Sequence, residues 1–214
     1  VGRKRLYILG FIVFTVGLFL ASISQSIGQL IAFRIIQGIG QAMLVATTNA
    51  LIVGAFPDHE RGKALGINGA LVGLGLSSGP FLGGIILEFL GWQALFWTRL
   101  PVSIIGLIVA IIILRPDSSK RKRLTFDYSG TLALIVGLSA FLLLINRAPQ
   151  EGLSTFVIVL ALASVAGLIT FPILEKRALI PIFDLSLLRS KLFTMSVTSS
   201  MLQFMSQAAF LFLI

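Results

Sequence analysis

The feature that most constrains this chain is where its charges are missing. Residues 6–33, 35–57, 64–87, 100–114, 128–146, 152–174 and 192–214 contain no Asp, Glu, Lys or Arg. A helix crosses the hydrocarbon layer of a bilayer with about 20 mainly apolar residues. Trimmed for turn residues, these runs predict seven spans, roughly 6–24, 29–53, 64–87, 94–114, 128–146, 153–173 and 192–214; the fourth takes in Arg99 near its start. A membrane β-barrel would show alternating strands of about 10 residues instead. Composition closes the other routes. The chain is 57% hydrophobic and 12% charged, where soluble domains carry about 25% charged residues. Its mean hydropathy is +1.02. A soluble globule that apolar could not cover its surface, and a disordered chain does not carry so much apolar side chain. The expected fold class is all-α, a polytopic transmembrane helix bundle.

The cations divide sharply between alternate connections. Arg3, Lys4 and Arg5 open the chain, and Arg61 and Lys63 lie in the next same-side loop. Arg115, Lys120, Arg121, Lys122 and Arg123 follow, then Lys176, Arg177, Arg189 and Lys191. These are 14 of the 17 Lys and Arg; Arg147 faces the other side, and Arg34 and Arg99 fall within spans. The positive-inside rule therefore predicts an integral protein of the plasma (bacterial inner) membrane with its Val1 end cytoplasmic. The same rule accounts for the run Lys120–Arg123 and for most of the net charge of +9, so no nucleic-acid partner is expected. The run can instead touch anionic lipid headgroups. The amphipathic stretch 179–189 reads as lying along the interface before the last span.

There is no cysteine and one histidine, His59. Thiolate chemistry, disulfides and histidine metal clusters are excluded. A polytopic membrane enzyme would need His, Asp or Glu clustered at a membrane face; eight acids, scattered along the chain, do not supply that. Neither an enzyme nor a cofactor nor a metal is expected. Both ends read as cut, since residue 1 is Val and the run 192–214 stops without a charged flank. The expectation is a piece of a longer protein.

Two spans carry polar or small-residue patterns. At about 100° per residue, Arg34, Gln37, Gln41 and Thr48 fall within about 60° of one another, with Asn49 and Gly38 close beside. An arginine in a span costs at least about 2.5 kcal/mol on insertion scales, so it should face protein or water. It is either a cation on a polar cavity wall, binding substrate or tracking protons, or a structural group that caps carbonyls or snorkels to the surface. In the third span Gly75, Gly79 and Gly83 recur every fourth residue, a close-packing pattern for membrane helices. Gly62, Gly66, Gly69, Gly73, Pro80 and Gly84 form a second smooth face. Two such faces predict a helix squeezed between neighbours. Pro80 lacks an N–H for the Leu76 carbonyl, so a bend is expected there.

The string Gly75-Leu76-Ser77-Ser78-Gly79-Pro80-Phe81-Leu82-Gly83-Gly84 resembles the antiporter motif, GxxxGPxxGG, of the major facilitator superfamily. Arg34 to Ala42 resembles the RxxQGxGxA motif of that family's fourth helix. Gly2, Arg3 and Lys4 are similar to the tail of its motif between helices two and three. Gly91 to Pro101 resembles the entry to its sixth helix, GWRWIFWINVP, departing at Gln93, Ala94 and Arg99. Asp127-Tyr128-Ser129-Gly130 resembles the entry to the first inserted helix of the fourteen-helix drug:proton antiporters. The layout of spans fits helices three to nine of that subfamily. The resemblance divides the chain into 1–114, the remainder of an N-terminal six-helix bundle; 115–190, a cytoplasmic loop, two inserted helices and an interfacial segment; and 191–214, the first helix of the C-terminal bundle.

The resemblance implies proton-coupled export of amphipathic, often cationic small molecules by alternating access between two bundles. The partners it implies are the lipid bilayer, a small-molecule substrate and protons, with a monomer when full length. It assigns Arg34 to proton coupling and sets Gln37, Gln41, Thr48 and Asn49 on the cavity wall. It places Gly75, Gly79, Pro80, Gly83 and Gly84 at the seam between bundles. No Asp, Glu or His falls within the spans, so the proton carrier is expected on a helix before residue 1, within reach of Arg34. Another cargo on the same scaffold (a siderophore, sugar or metabolite) or a non-transporting membrane scaffold are the competing readings.

Overall fold

The computed structural model describes residues 2–114, 127–177, 183 and 185–213. The basic run Lys120–Arg123 and, of the stretch 179–189, residues 179–182 and 184 lie outside them. Among the described residues the chain is helical: α1 (Arg3–Ser22), α2 (Ile27–Ala55), α3 (Arg61–Leu90), α4 (Ala94–Trp97), α5 (Arg99–Ile113), α6 (Tyr128–Glu151), α7 (Thr155–Glu175) and α8 (Lys191–Leu213), with a 3-10 turn at Leu185–Arg189 before α8. Two compact units divide it, Val1–Arg121 and Lys122–Ile214.

Helix ends follow from local chemistry. Ser26 caps α2 by accepting from Gln29 N–H, while the Gln29 side chain accepts from Gln25 N–H; these bonds occupy donors that the helix start leaves open. Ser154 caps α7 in the same way by accepting from Val157 N–H at 3.2 Å. Helix α6 runs past the expected limit at 146 to Glu151, held by the Arg147–Glu151 ion pair at 3.0 Å. Gly152, at φ +61°, then stops it, a backbone conformation open to glycine without strain. The expected fourth span is interrupted. Helix α4 ends at Trp97 and α5 begins at Arg99, because Pro101 has no N–H for the Trp97 carbonyl. The Thr98 hydroxyl turns back to donate to Ala94 O at 2.9 Å. Helix α3, by contrast, is unbroken through Pro80.

Unit 1 is built on the α1–α2 pair. Leu18, Ala21, Phe96 and Leu100 form its small core, with Phe14, Leu30, Phe33 and Leu95 packed against it. Small residues bring the two helices together. A Cβ added to Gly17 would stand 2.5 Å from the Gln37 backbone nitrogen, and one on Gly40 would meet the Phe14 backbone, with Gly10 O at 2.8 Å. Thr15 and Ser103 join α1 to α5 by a hydroxyl hydrogen bond of 2.6 Å. Unit 2 repeats the device in the α6–α7 hairpin, where a Cβ on Gly167 would meet Gly137 Cα and N at 2.6 Å. Large apolar side chains point outward along every long helix, Ile35, Phe81, Ile112, Leu142 and Leu162 among them. That is the reverse of a soluble core and suits a hydrocarbon solvent.

Among the described residues six stretches are long and apolar enough to span a membrane: α1, α2, α3, the α4–α5 pair, α6 and α7. The expected seventh span, 192–214, is a helix of sufficient length but is not among them. Thr194, Ser196, Thr198, Ser199, Ser200, Gln203 and Ser206 dilute its hydropathy.

Candidate functional site

Helix α2 carries the polar stripe, and the structure splits it. Gln37 is 5% exposed and sits in the α1–α2 interface, against the backbone of Gly17. Arg34, Gln41 and Asn49 are exposed, and Thr48 is half-buried. Arg34 Nη1 donates to Gln37 Oε1 at 3.4 Å, and its guanidinium lies over the Phe96 ring, 5.1 Å from the centroid. A cation over an aromatic face contributes about 0.5–2 kcal/mol, more as water is withdrawn. So Arg34 is anchored at two points while still reaching open space. Thr48 donates to Leu44 O at 2.8 Å. One residue of this face was not singled out in sequence: Thr47, 4% exposed, whose hydroxyl donates to Met43 O. It lies ten residues, close to three helical turns, after Gln37, and that spacing is the signal that marks the α1-facing side.

The motif residues at the start of the chain meet helix ends. Arg3 Nη1 donates to Ala50 O at 3.1 Å, and Lys4 Nζ donates to Ile111 O at 3.0 Å and to Leu114 O. Arg61 Nε adds bonds to Val53 O and Phe56 O. Gly54 of α2 passes close by, since a Cβ there would stand 3.1 Å from the Arg3 guanidinium. The starts of α1 and α3 and the C-terminal ends of α2 and α5 therefore share one end of unit 1. The cations that crowd it satisfy terminal carbonyls and face the negative poles of the helix dipoles.

The glycine helix behaves differently from expectation. Instead of being squeezed between neighbours, α3 has no buried residue within unit 1. A Cβ added at Gly75, Gly79 or Gly84 meets nothing within 4 Å, and one at Gly83 meets Leu95 Cδ2 at 3.8 Å. Sequence spacing identifies a surface built for close approach, but the described residues leave it bare. The glycines that touch backbone are Gly10, Gly17, Gly40, Gly137 and Gly167; of these the sequence held only Gly40 within a motif, the RxxQGxGxA string. Their signal is relational, since each is identified by the helix opposite.

An open apolar groove of roughly 460 Å³ runs between α1 and α5, lined by Thr15, Val16, Phe19, Trp97, Leu100, Pro101 and Ile104. It does not include the Arg34 stripe. Among the described residues no group of three or more His, Cys, Asp or Glu is placed to hold a metal ion.

Apolar helices with glycine-packed pairs, an aromatic-anchored arginine inside a span and cations gathered at helix ends define a polytopic membrane protein of the helical type. The chain belongs to the Major Facilitator Superfamily, whose sequence profile matches residues 1–214. It is 42% identical over 146 residues to the riboflavin transporter RibZ of Clostridioides difficile (strain 630), covering 68% of this chain and 32% of that protein. It is 32% identical over 200 residues to the multidrug resistance protein Stp of Mycobacterium tuberculosis (strain ATCC 25618 / H37Rv), covering 92% of this chain and 37% of that protein. Multidrug resistance protein 3 of Bacillus subtilis (strain 168) is 35% identical over 144 residues, 67% of this chain and 28% of that protein. The chain thus spans about a third of the length of these curated relatives.

Proposed function

We propose that this chain is part of a proton-coupled antiporter that exports drugs or other amphipathic small molecules by alternating access. The observation that carries the reading is Arg34. It stands inside a membrane span, fixed by Gln37 and Phe96 and still open on one side. Such a cation is held ready for an anionic partner arriving from outside the described residues. A carboxylate beside it would have its proton affinity set by two opposed effects, desolvation and the neighbouring positive charge. Substrate entering the cavity would shift that balance. Gln41, Thr48 and Asn49 supply hydrogen-bonding groups on the same side, and Gln37 orients the arginine. The bare ridge of Gly75, Gly79 and Gly83, with Pro80 and Gly84, serves as a sliding seam against the other bundle. The end gathered by Gly2, Arg3 and Lys4 faces the cytoplasm of a bacterial inner membrane, and the full-length protein works as a monomer. The names of the relatives from M. tuberculosis and B. subtilis support a drug cargo.

The test is efflux from vesicles carrying the full-length protein. Arg34→Ala inserts normally but abolishes proton-driven dye export, and Gly79→Leu inserts but does not transport. Export at the parent rate by Arg34→Ala overturns the coupling role, and export at the parent rate by Gly79→Leu overturns the seam. A second cargo reading has its own support in the 42% identity to a protein named as a riboflavin transporter. Riboflavin and a cationic dye offered to the same vesicles separate the two.

A further inference from the structure

The span count leaves two cations inside the membrane, Arg34 and Arg99, and the transport reading uses the first alone. The structure sets both on one side of unit 1. Arg34 lies over the Phe96 ring, 5.1 Å from its centroid. Arg99 follows Phe96 by three residues. The helical path is kept between them: Thr98 has φ −67° and ψ −23°, and its N–H donates to Ala94 O at 3.0 Å. At about 100° per residue, Arg99 therefore falls between the directions of Leu95 and Phe96, one turn on. Leu95 is the side chain that approaches Gly83 of α3, and Phe96 is the one that meets Arg34 of α2. Trp97 and Pro101, which line the groove against α1, lie in the opposite sector.

Depth agrees with direction. Helices α2 and α4 both start at the end of unit 1 away from the Arg3 and Lys4 cluster. At 1.5 Å per residue, Arg34 lies about 10 Å and Arg99 about 8 Å along the helix from those starts. Both side chains are exposed within unit 1. An aromatic edge adjoins them, since Trp92 meets the Phe96 ring edge-on with centroids 6.3 Å apart. Trp92 keeps 38% of its surface open. Two guanidinium groups at similar depth make this wall strongly positive, and a cation in a span is costly unless it meets an anion, protein or water. In the export reading one carboxylate of the protein answers Arg34. Arg99 remains, and the ion pairs among the described residues lie elsewhere.

We propose that Arg99 is the charge-selecting residue of the cargo site: it binds the anionic group, a carboxylate or phosphate, of an amphipathic cargo whose aromatic body lies against Trp92. The planar guanidinium fork suits the paired oxygens of such a group. Arg34, on the same wall, attracts that group as well and repels a cation. Trp92 supplies an apolar face for a ring. Arginine stays charged at any pH the protein meets, so the selection does not depend on protonation of Arg99. The inference rests on the export reading for the cavity and narrows it: among amphipathic compounds, the favoured cargo is an anion.

The test uses the full-length protein in nanodiscs of neutral phosphatidylcholine. The probes are fluorescein and tetramethylrhodamine methyl ester, xanthene dyes of one skeleton, the first anionic and the second cationic. Fluorescence anisotropy gives the ratio of their affinities. The parent prefers fluorescein. Arg99→Gln lowers that preference by about tenfold or more, the scale of losing a charge-assisted contact withdrawn from bulk water, and Arg99→Lys keeps most of it. An arginine that only supports the fold would weaken both dyes together, so an unchanged ratio in Arg99→Gln overturns the proposal. A parent that does not prefer fluorescein also overturns it. So does loss of fluorescein binding when phosphatidylglycerol is added to the parent's nanodiscs, since Arg99 would then serve a lipid headgroup. Failure of the export reading shows separately. A parent that binds fluorescein through Arg99, but moves neither dye across vesicles under an imposed pH gradient, keeps the anion site and overturns export.

Discussion

At the scale of single residues, the distance from an added Cβ to the opposite backbone separates glycines that hold the fold from those kept for something else. Gly17 faces the Gln37 backbone, and Gly79 faces nothing. Gly17→Leu should therefore destabilise unit 1 by at least about 2 kcal/mol, because main chain cannot move aside as a flexible side chain can. Gly79→Leu should lower the melting temperature of the detergent-solubilised full-length protein less than Gly17→Leu does, because a sliding seam is not a fixed contact with main chain. Differential scanning fluorimetry of the two variants checks this. Equal destabilisation would show that the α3 ridge is fixed packing in the full-length protein. The sequence marked Gly79 by its fourfold spacing and passed over Gly17, since spacing reports a repeated surface whereas close contact depends on the helix opposite. The same holds for Gln37. Its place in the stripe was legible from helical periodicity. Its burial was not, because it follows from which side of α2 meets α1.

At the scale of elements, spans were legible because 1.5 Å per residue and the bilayer thickness leave little freedom. Their limits were less so. Helix α6 outran its expected end through an ion pair one turn apart, and the fourth span broke at Thr98 through a missing N–H at Pro101. Both signals are present in the sequence, but as local terms of about 0.3–3 kcal/mol set against the larger hydropathy pattern. Pro101→Ala restores a donor to the Trp97 carbonyl. The expected outcome is a continuous helix from Ala94 to Ile113, read as slowed amide hydrogen exchange at residues 98–101. Unchanged exchange there would assign the break to packing of Phe96 and Leu100 in the core instead. Ser154→Ala should weaken the start of α7 by about 0.5–2 kcal/mol, seen as faster exchange at Val157 and little change at Gly167.

At the scale of the whole molecule, Arg3 and Lys4 serve two purposes at one end of unit 1. They add to the charge asymmetry that orients a membrane protein, and they cap α2 and α5. Arg3→Gln with Lys4→Gln should lower the melting stability by about 1 kcal/mol through the lost cation–dipole terms. Orientation should hold, because the other same-side loops keep their cations; labelling of single cysteines introduced in the 57–63 connection reads the side. A reversed orientation would show that the first basic cluster alone decides topology. The sequence by itself determined the solvent, the place of most spans and the family. The first two follow from transfer free energy, which adds up along the chain without reference to contacts, and the family from the order and spacing of its motifs. Tertiary structure alone decided which glycines touch and which half of the polar stripe is closed. It also decided that Asp127 and Glu175, separated by two whole helices in sequence, bring carboxylate oxygens to the same glycine, Gly130. Antiparallel packing sets those meetings, and no local pattern encodes the residue that will stand opposite.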